Sequence, residues 1–108
     1  MENGEKFRLV FVTAGSEDEA LTIARALVGE RLAACCTLLG GARSVYRWRG
    51  DIEESREVQL LVKTSGGLLA AAESRIREIH SYDVPEIIAV AMEEISAPYR
   101  AWLEEELP

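Results

Sequence analysis

The chain has 108 residues, of which 48% are hydrophobic, and this length and composition fit one folded domain and exclude intrinsic disorder. Its 19 acidic and 12 basic residues give a formal charge of −7, so it lacks the basic surface that binds nucleic acid or anionic membranes. No apolar run approaches the ~20 residues of a membrane-spanning helix, and the N-terminal sequence lacks a secretion signal. We therefore expect a soluble, cytoplasmic protein with no nucleic-acid or membrane partner.

The first part of the chain predicts a strand followed by a helix. Residues 1–6 are expected to form a loose N-terminus, and the apolar, β-branched run 7–13 predicts a buried strand. Ser16, followed three residues later by Glu19, is the pattern of a helix capping box. Apolar residues at helical spacing then predict an amphipathic helix over residues 17–32.

The middle of the chain predicts a hairpin with a bent first strand. Residues 33–39 predict a strand that resumes over residues 44–48 after Gly40–Gly41, so a bulge or sharp bend is expected at the two glycines. A turn over residues 49–51 then leads to a third strand over residues 58–64.

The last part predicts a helix, a strand and a terminal helix. Apolar residues recur at helical spacing from Leu69 to Ile79 and predict a helix that ends near His80. Residues 86–92 predict a fourth strand, and Ser96 caps a short final helix. The order β-α-β-β-α-β plus a helix predicts an α+β fold of the ferredoxin-like split β-α-β type over a single domain, residues 1–108.

Both faces of the predicted sheet are apolar. In the third strand, Leu60 and Val62 lie on one side and Leu61 lies on the other, and the first strand alternates in the same way. One layer of two helices cannot cover both faces. We therefore expect the second face to be buried against other subunits.

His80 is the only histidine, and Tyr82, Asp83 and Glu86 follow it within six residues. Imidazole and carboxylate groups bind Cu(II) or Zn(II), so this stretch is a candidate metal site. An alternative interpretation is a histidine that caps the C-terminus of the preceding helix.

The two cysteines, Cys35 and Cys36, are adjacent in the sequence. On a strand their side chains point to opposite faces, so they cannot easily share one metal ion. No cationic residue lies nearby in the sequence to lower the pKa of either thiol. We interpret both as small hydrophobic residues.

Four aromatic residues and one lysine are candidates for a ligand cleft or a subunit interface. Tyr46 and Trp48 share one face of the bent strand, and Tyr99 and Trp102 share one face of the last helix. Tyr and Trp are enriched at interfaces and ligand sites. Lys63, near the end of the third strand, is the candidate contact for an anion.

Several segments together resemble the CutA divalent-cation tolerance family, and the likeness spans about residues 9–104. The segments that carry it are residues 30–35 (ERLAAC), 44–50 (SVYRWRG), 57–64 (EVQLLVKT) and 80–87 (HSYDVPEI), with Tyr99 and Trp102. The resemblance implies a ferredoxin-like fold and a homotrimer similar in build to the PII signalling proteins. It also implies a role in tolerance of copper and other divalent metals, without an established enzymatic activity.

The resemblance also implies which residues contact a metal. Copper binding in the family has been associated with the histidine and glutamate of an H-x-Y-x-x-P-E stretch, which correspond to His80 and Glu86 here. A cysteine in the first strand completes that site in some members. Val12 stands at this position, so the soft thiolate that favours Cu(I) is missing.

Our first hypothesis is a non-enzymatic, trimeric metal-response protein that folds without a cofactor. His80 and Glu86 would bind copper or another divalent cation near a subunit boundary lined by Tyr46, Trp48 and Tyr82.

The alternative hypothesis is a PII-like regulator that binds a nucleotide or small anion in the cleft between subunits. Lys63, Arg47 and the helix N-terminus at Ser16 would contact the anion. A third hypothesis, an enzyme with Glu57 or Glu86 as its base, has no warrant from the fold.

Overall fold

The computed structural model describes residues 1–108 and contains every predicted element. In chain order the elements are β1 (Glu2–Asn3), β2 (Phe7–Ala14), α1 (Glu17–Gly29), β3 (Cys35–Trp48), β4 (Asp51–Ser65), α2 (Leu69–Ile79), β5 (Ile87–Ala91), β6 (Glu94–Ile95) and α3 (Ala97–Glu106). A single turn of 3-10 helix, Gly66–Leu68, precedes α2. None of the helices combines the length and the apolar character needed to cross a membrane.

Four strands form an antiparallel sheet in the order β3-β4-β2-β5. This order places the first and third strands of the β-α-β-β-α-β repeat side by side at the centre, which is the split β-α-β arrangement. The predicted fold class is therefore confirmed. A separate two-stranded sheet joins β1 to β6.

The N-terminal segment differs from the loose structure expected for residues 1–6. Glu2 and Asn3 pair with Ile95 and Glu94, near the other end of the chain. Gly4 is buried because the Ile95 side chain lies where a Cβ atom would be. The pairing joins segments far apart in sequence, so no local pattern could indicate it.

The main core lies between one face of the sheet and the two helices α1 and α2. Its fully buried aliphatic side chains are Val10, Val12, Leu60 and Val62 from the sheet with Ile23, Leu27 and Ile76 from the helices. A second, smaller cluster lies under α3 and contains Phe7, Ile95, Leu103 and Leu107.

Helix α1 ends at Gly29, three residues before its predicted end. Arg31 adopts a left-handed conformation with φ of 58°. Its N–H donates to the Val28 carbonyl, and the Leu32 N–H donates to the Leu27 carbonyl. These two bonds are those of a Schellman C-cap. The apolar pattern continued past the true end because Leu32 still packs against the core.

The double glycine forms the predicted bulge. Leu39 pairs with Gln59, but the next pair joins Ala42 to Glu57, so β3 carries one more residue than β4 at this point. Beyond the bulge the two strands continue as a long hairpin, and β4 begins at Asp51 rather than near residue 58. The polar residues of this hairpin arm gave no apolar alternation from which its strand could be predicted.

The extra residue changes which face of the sheet the aromatic residues occupy. Before the bulge, even-numbered residues of β3 such as Leu38 face the core. After it, Tyr46 pairs with Glu53, which lies on the same face of β4 as Leu61. Tyr46 and Trp48 therefore leave the helical side of the sheet.

The sheet face opposite the helices is apolar, as the alternation predicted. Phe11 pairs with Ile88 in the centre of this face, and Leu61 lies beside them. In the single chain Ile88 is 53% exposed, Leu39 is 50% exposed and Val90 is 43% exposed. We call these residues, with Phe11 and Leu61, the free sheet face.

Replacing the second glycine of the bulge should destabilise the protein, whereas replacing the first should not. Gly41 has φ of +77°, so Gly41→Ala should lower the free energy of unfolding by about 1 kcal/mol. Gly40 has no such φ and open space around it, so Gly40→Ala should change stability by less than about 0.5 kcal/mol. Urea denaturation at one protein concentration measures both, and equal effects would contradict the bulge geometry.

Candidate functional site

His80 follows the last residue of α2, and its side chain is fully buried. Its Nε2 lies 2.7 Å from the carbonyl oxygen of Thr13, and its Nδ1 accepts a hydrogen bond from the Tyr82 N–H at 3.1 Å. A carbonyl can only accept, so Nε2 carries the proton and donates it to Thr13. Both ring nitrogens are therefore engaged by the backbone, and neither is free to bind a metal in this conformation.

Glu19 links the loop before α1 to the loop after α2. Its N–H donates to Ser16 Oγ at 3.1 Å, as the capping box predicted. Its Oε1 accepts from the Gly15 N–H at 3.3 Å, and its Oε2 accepts from the Ser81 N–H at 2.7 Å. Partial burial opposes ionisation, but the hydrogen bonds from Ser81 and Gly15 outweigh it and hold the pKa of Glu19 below its ordinary value.

Tyr82 connects the same loop to strand β4. Its hydroxyl donates to Glu57 Oε2 at 3.0 Å, and its ring lies 4.7 Å from the His80 ring, centroid to centroid. Burial, the hydrogen bond to Glu57 and the negative charge of that carboxylate raise the pKa of Tyr82 to about 12. The phenol therefore remains a hydrogen-bond donor through the neutral pH range.

Four of the eight predicted site residues line one cleft of about 370 Å³: Tyr46, Trp48, Tyr82 and Glu86. The rest of its lining consists of Thr13, Ser44, Glu57, Asp83 and Val84. The hairpin arm supplies one wall, and the loop between α2 and β5 supplies the other. The lining contains three carboxylates and no lysine, arginine or histidine.

His80 lines a different concavity from Glu86. That second hollow, of about 540 Å³, lies along α2 and includes Glu73, Arg77 and Glu78. The two hollows share only Tyr82 and Asp83. No group of three or more His, Cys, Asp or Glu side chains is arranged to hold a metal ion.

The other three predicted site residues lie outside the cleft. Lys63 Nζ donates to Thr37 Oγ1 at 2.6 Å and lies 3.9 Å from Cys35 Sγ. Tyr99 and Trp102 lie together on α3, with ring centroids 5.5 Å apart. The structure thus divides the candidates between the cleft, the buried His80, the neighbourhood of Lys63 and the surface of α3.

The two cysteines are free and differ in their surroundings. Cys36 packs against the core, and burial, with a smaller effect from Cys35, raises the pKa of its thiol to about 12. It behaves as a small hydrophobic residue, as predicted. Cys35 lies beside the Lys63 ammonium group, a cation that is near in space although none is near in sequence.

Sequence reasoning missed the roles of the two carboxylates that hold this site together. The sequence places Glu19 in a capping box and offers Glu57 as a candidate base, and neither pattern indicates the partner of the carboxylate. The Tyr82–Glu57 bond joins residues 25 positions apart, and the Ser81–Glu19 bond joins residues 62 positions apart. No local pattern indicates contacts of that separation.

Comparison with known proteins shows which family the chain resembles. The family profile described as "CutA1 divalent ion tolerance protein" matches residues 8–106. The divalent-cation tolerance protein CutA of Thermus thermophilus is 44% identical over 97 residues, which cover 90% of this chain and 94% of that protein. By contrast, this chain spans about half the length of the mouse and human CutA proteins that it matches.

Two solved structures show the fold. CutA from Xylella fastidiosa is similar with a TM-score of 0.93 and 43% identity, covering 95% of this chain and 99% of that one. A protein from Archaeoglobus fulgidus, described as a periplasmic divalent cation tolerance protein, has a TM-score of 0.91 and 30% identity, covering 94% and 99%.

Removing the charge of Glu57 should lower the pKa of Tyr82 from about 12 toward its ordinary value of 10. Glu57→Gln keeps a hydrogen-bond acceptor but removes the carboxylate that opposes formation of the phenolate. Absorbance at 295 nm during alkaline titration measures the change, and Tyr82→Phe identifies which transition belongs to Tyr82. Glu54→Gln, at an exposed position outside the cleft, should leave the curve unchanged.

The same shift predicts how stability depends on alkaline pH. Because the pKa of Tyr82 is higher in the folded chain than in the unfolded chain, its contribution is complete below pH 10 and is lost as pH rises toward 12. The Glu57→Gln variant should lose less unfolding free energy between pH 10 and 12 than the wild type does, as measured by urea denaturation. An equal loss in both proteins would contradict the coupling.

Proposed function

The chain belongs to the CutA1 divalent ion tolerance family. We propose that it is a homotrimer that binds copper or another divalent cation and does not catalyse a reaction. The acidic lining of the cleft carries this proposal. Glu57, Asp83 and Glu86 face one hollow that contains no basic side chain. Such a surface attracts cations and repels anions.

Carboxylate oxygens are suitable ligands for hard divalent ions, and Cu(II) accepts mixed nitrogen and oxygen ligands. His80 can add a nitrogen ligand only after the Tyr82 N–H leaves Nδ1, because the other ring nitrogen is bonded to Thr13. The proposal therefore gives Glu86 the first contact with the ion and His80 a contact that requires opening of the loop. Because only one ligand is available before the loop opens, and opening breaks the Tyr82–His80 hydrogen bond, we expect the ion to bind weakly.

The alternative of a bound nucleotide or small anion receives no support from the geometry of the cleft. Neither Lys63 nor Arg47 lines it, and Lys63 donates instead to Thr37. At the helix N-terminus the Ser16 hydroxyl accepts from the Glu19 N–H, and the Glu19 carboxylate accepts from the Gly15 N–H just before the cap. A second anion there would meet like charge.

The proposed trimer is supported by the free sheet face. Ile88, Leu39 and Val90 form part of a contiguous apolar surface on a sheet whose outer strands, β3 and β5, have unpaired edges. Apolar faces of this kind mark interaction sites, and open edges invite pairing with another chain. Three copies can close such edges cyclically if the hairpin of one copy pairs with the sheet of the next.

The absence of catalysis and a cytoplasmic location are also parts of the proposal. The family and its relatives are named for tolerance of ions and not for a reaction. The two unpaired cysteines suit a reducing compartment. The periplasmic description of the A. fulgidus protein makes the location a property to test for this chain by fractionation.

Neutralising Glu86 should weaken binding of Cu²⁺ by about tenfold, because one of the three carboxylates of the cleft is lost. Isothermal titration calorimetry of Glu86→Gln against the wild type measures this, with Glu54→Gln as the matched control. The His80→Ala variant tests the nitrogen ligand. Unchanged affinity in both variants would remove the metal assignment from this stretch.

Light scattering coupled to size-exclusion chromatography should give a mass three times that of the chain. Ile88→Glu places a charge on the free sheet face and should dissociate the assembly. Val28→Glu is the control, because Val28 is also exposed but lies on α1, on the helical side. A monomeric wild-type protein would contradict the proposed assembly.

A further inference from the structure

The hairpin arm beyond the bulge has a second face, on the helical side of the sheet. It carries the even-numbered residues of β4, which alternate with Glu57 and continue the face of the core residue Leu60. Its six residues form three cross-strand pairs: Arg43 with Arg56, Val45 with Glu54, and Arg47 with Ile52. All six are exposed in the single chain, and we call them the arginine face. Three arginines and one glutamate make this face positive in a chain whose net charge is −7.

The single chain leaves the charges of this face poorly compensated. Arg43 and Arg56 lie directly opposite each other, and like charges in that arrangement destabilise a pair of strands. Arg43 contacts Glu54 at 3.4 Å, but both side chains are more than half exposed, so the pair is worth little. Arg47 and Arg56 form no ion pair within the chain. The two apolar side chains between the arginines are 68% and 70% exposed. A face of this kind suits an acidic protein surface.

The proposed assembly determines where the arginine face is directed. In that assembly the hairpin arm of one copy pairs with the sheet of the next, and β5 supplies the open edge. Such pairing extends the sheet, so each face of the arm continues one face of the neighbouring sheet. Tyr46 and Trp48 belong with the free sheet face, because the opposite orientation places three arginines against apolar side chains. The arginine face is then directed toward the helical side of the next copy.

Helix α2 is the part of the helical side that lies nearest to the open edge of β5. Strands β4 and β5 are both antiparallel to β2, so they run parallel to each other, and α2 crosses over β2 to join them. Arg75 contacts Glu30, at the end of α1, at 3.0 Å. Glu73 lies about 200° round the helix from Arg75. Glu73 is therefore on the side of α2 that faces away from α1, toward the open edge.

The hollow along α2, which Glu73 lines, is acidic. Its charged lining consists of Glu73, Glu78 and Asp83 with a single cation, Arg77. His80 adds no charge in this conformation, because its Nδ1 accepts the Tyr82 N–H. The hollow and the arginine face thus carry opposite net charges, and one surface is concave while the other projects on a hairpin. Such complementarity fixes how two surfaces are oriented.

We propose that the arginine face of one copy docks against the acidic hollow along α2 of the next copy. The proposal rests on the proposed assembly, to which it adds the contact that orients the hairpin arm. In the assembly, carboxylates of the hollow offset the repulsion between Arg43 and Arg56, and the neighbouring copy covers the two exposed apolar side chains of the face.

The Arg56→Glu variant tests the contact without weakening the hairpin itself. A glutamate at this position lies opposite Arg43, so within the chain it replaces a repulsive pair by an attractive one. Toward the next copy it presents a negative charge to an acidic hollow. The protein concentration at which half of the assembly dissociates should therefore rise about tenfold at low salt. Sedimentation analysis in a urea concentration that partly dissociates the wild type measures this change.

Three further measurements assign the effect to the two surfaces. Arg25→Glu reverses an exposed charge on α1, outside both surfaces, and should change the dissociation less than about twofold. Glu73→Lys alone should weaken the assembly as Arg56→Glu does, and the two substitutions together should restore it to within about threefold of the wild type. Raising the salt to about 0.5 M should shrink the effect of Arg56→Glu. An effect that persists at high salt, or that Glu73→Lys does not reverse, overturns the proposal.

The mass of the wild-type protein separates this inference from the proposed assembly. A monomeric wild type overturns both. A wild type that assembles, but from which Arg56→Glu and Arg25→Glu do not differ, overturns the docking contact and leaves the assembly standing. Weakened assembly in Arg56→Glu and in Glu73→Lys, with recovery in the combined variant, supports the contact.

Discussion

The arrangement of the cleft depends on two backbone hydrogen bonds made by one buried imidazole. His80 donates from Nε2 to Thr13 at the end of β2 and accepts at Nδ1 from Tyr82. These bonds fasten the start of the α2–β5 loop to the sheet. Glu19 of α1 adds a second attachment through the Ser81 N–H. With both attachments made, the loop has few ways to move, and its acidic and aromatic side chains are held in place.

The opposite wall of the cleft depends on a single extra residue. The bulge at Gly40–Gly41 shifts the alternation of β3, so Tyr46 and Trp48 join the side of β4 that carries Glu57 and not the side that carries the core. The Tyr82–Glu57 bond then ties the two walls together. The attachment of the α2–β5 loop and the bulge in β3 are independent features of the chain, and the cleft requires both of them.

The same sheet carries the apolar face on which the proposed assembly rests. Helices α1 and α2 cover one face, and the apolar alternation of β2, β4 and β5 fills the other face with side chains that a single chain leaves open to water. The long hairpin carries one wall of the cleft away from this core. Tyr46 and Trp48 lie on the same side of the sheet as the free sheet face, so the cleft borders the proposed interface.

Periodicity along the sequence determined the helices, the core segments of the four strands in the main sheet and the apolar character of both sheet faces, and the Gly40–Gly41 pair indicated the bulge. These features depend on neighbours within a few residues, and the spacing of apolar side chains records them directly. The aromatic pattern of the bent strand selected Tyr46 and Trp48, and the stretch after His80 selected Tyr82 and Glu86; the fold brings these four residues to one cleft.

The tertiary structure alone decided how those residues are used. In the folded chain both nitrogens of His80 form hydrogen bonds to the backbone, and the Tyr82 hydroxyl donates to Glu57. Lys63 lies beside Cys35, outside the cleft. The tertiary structure also paired the two ends of the chain through β1 and β6. Each of these outcomes is set by strand register and by contacts between distant segments. The hydrogen-bonding capacity of one side chain does not specify which distant partner satisfies it, so the sequence pattern could name the residues but not their bonds.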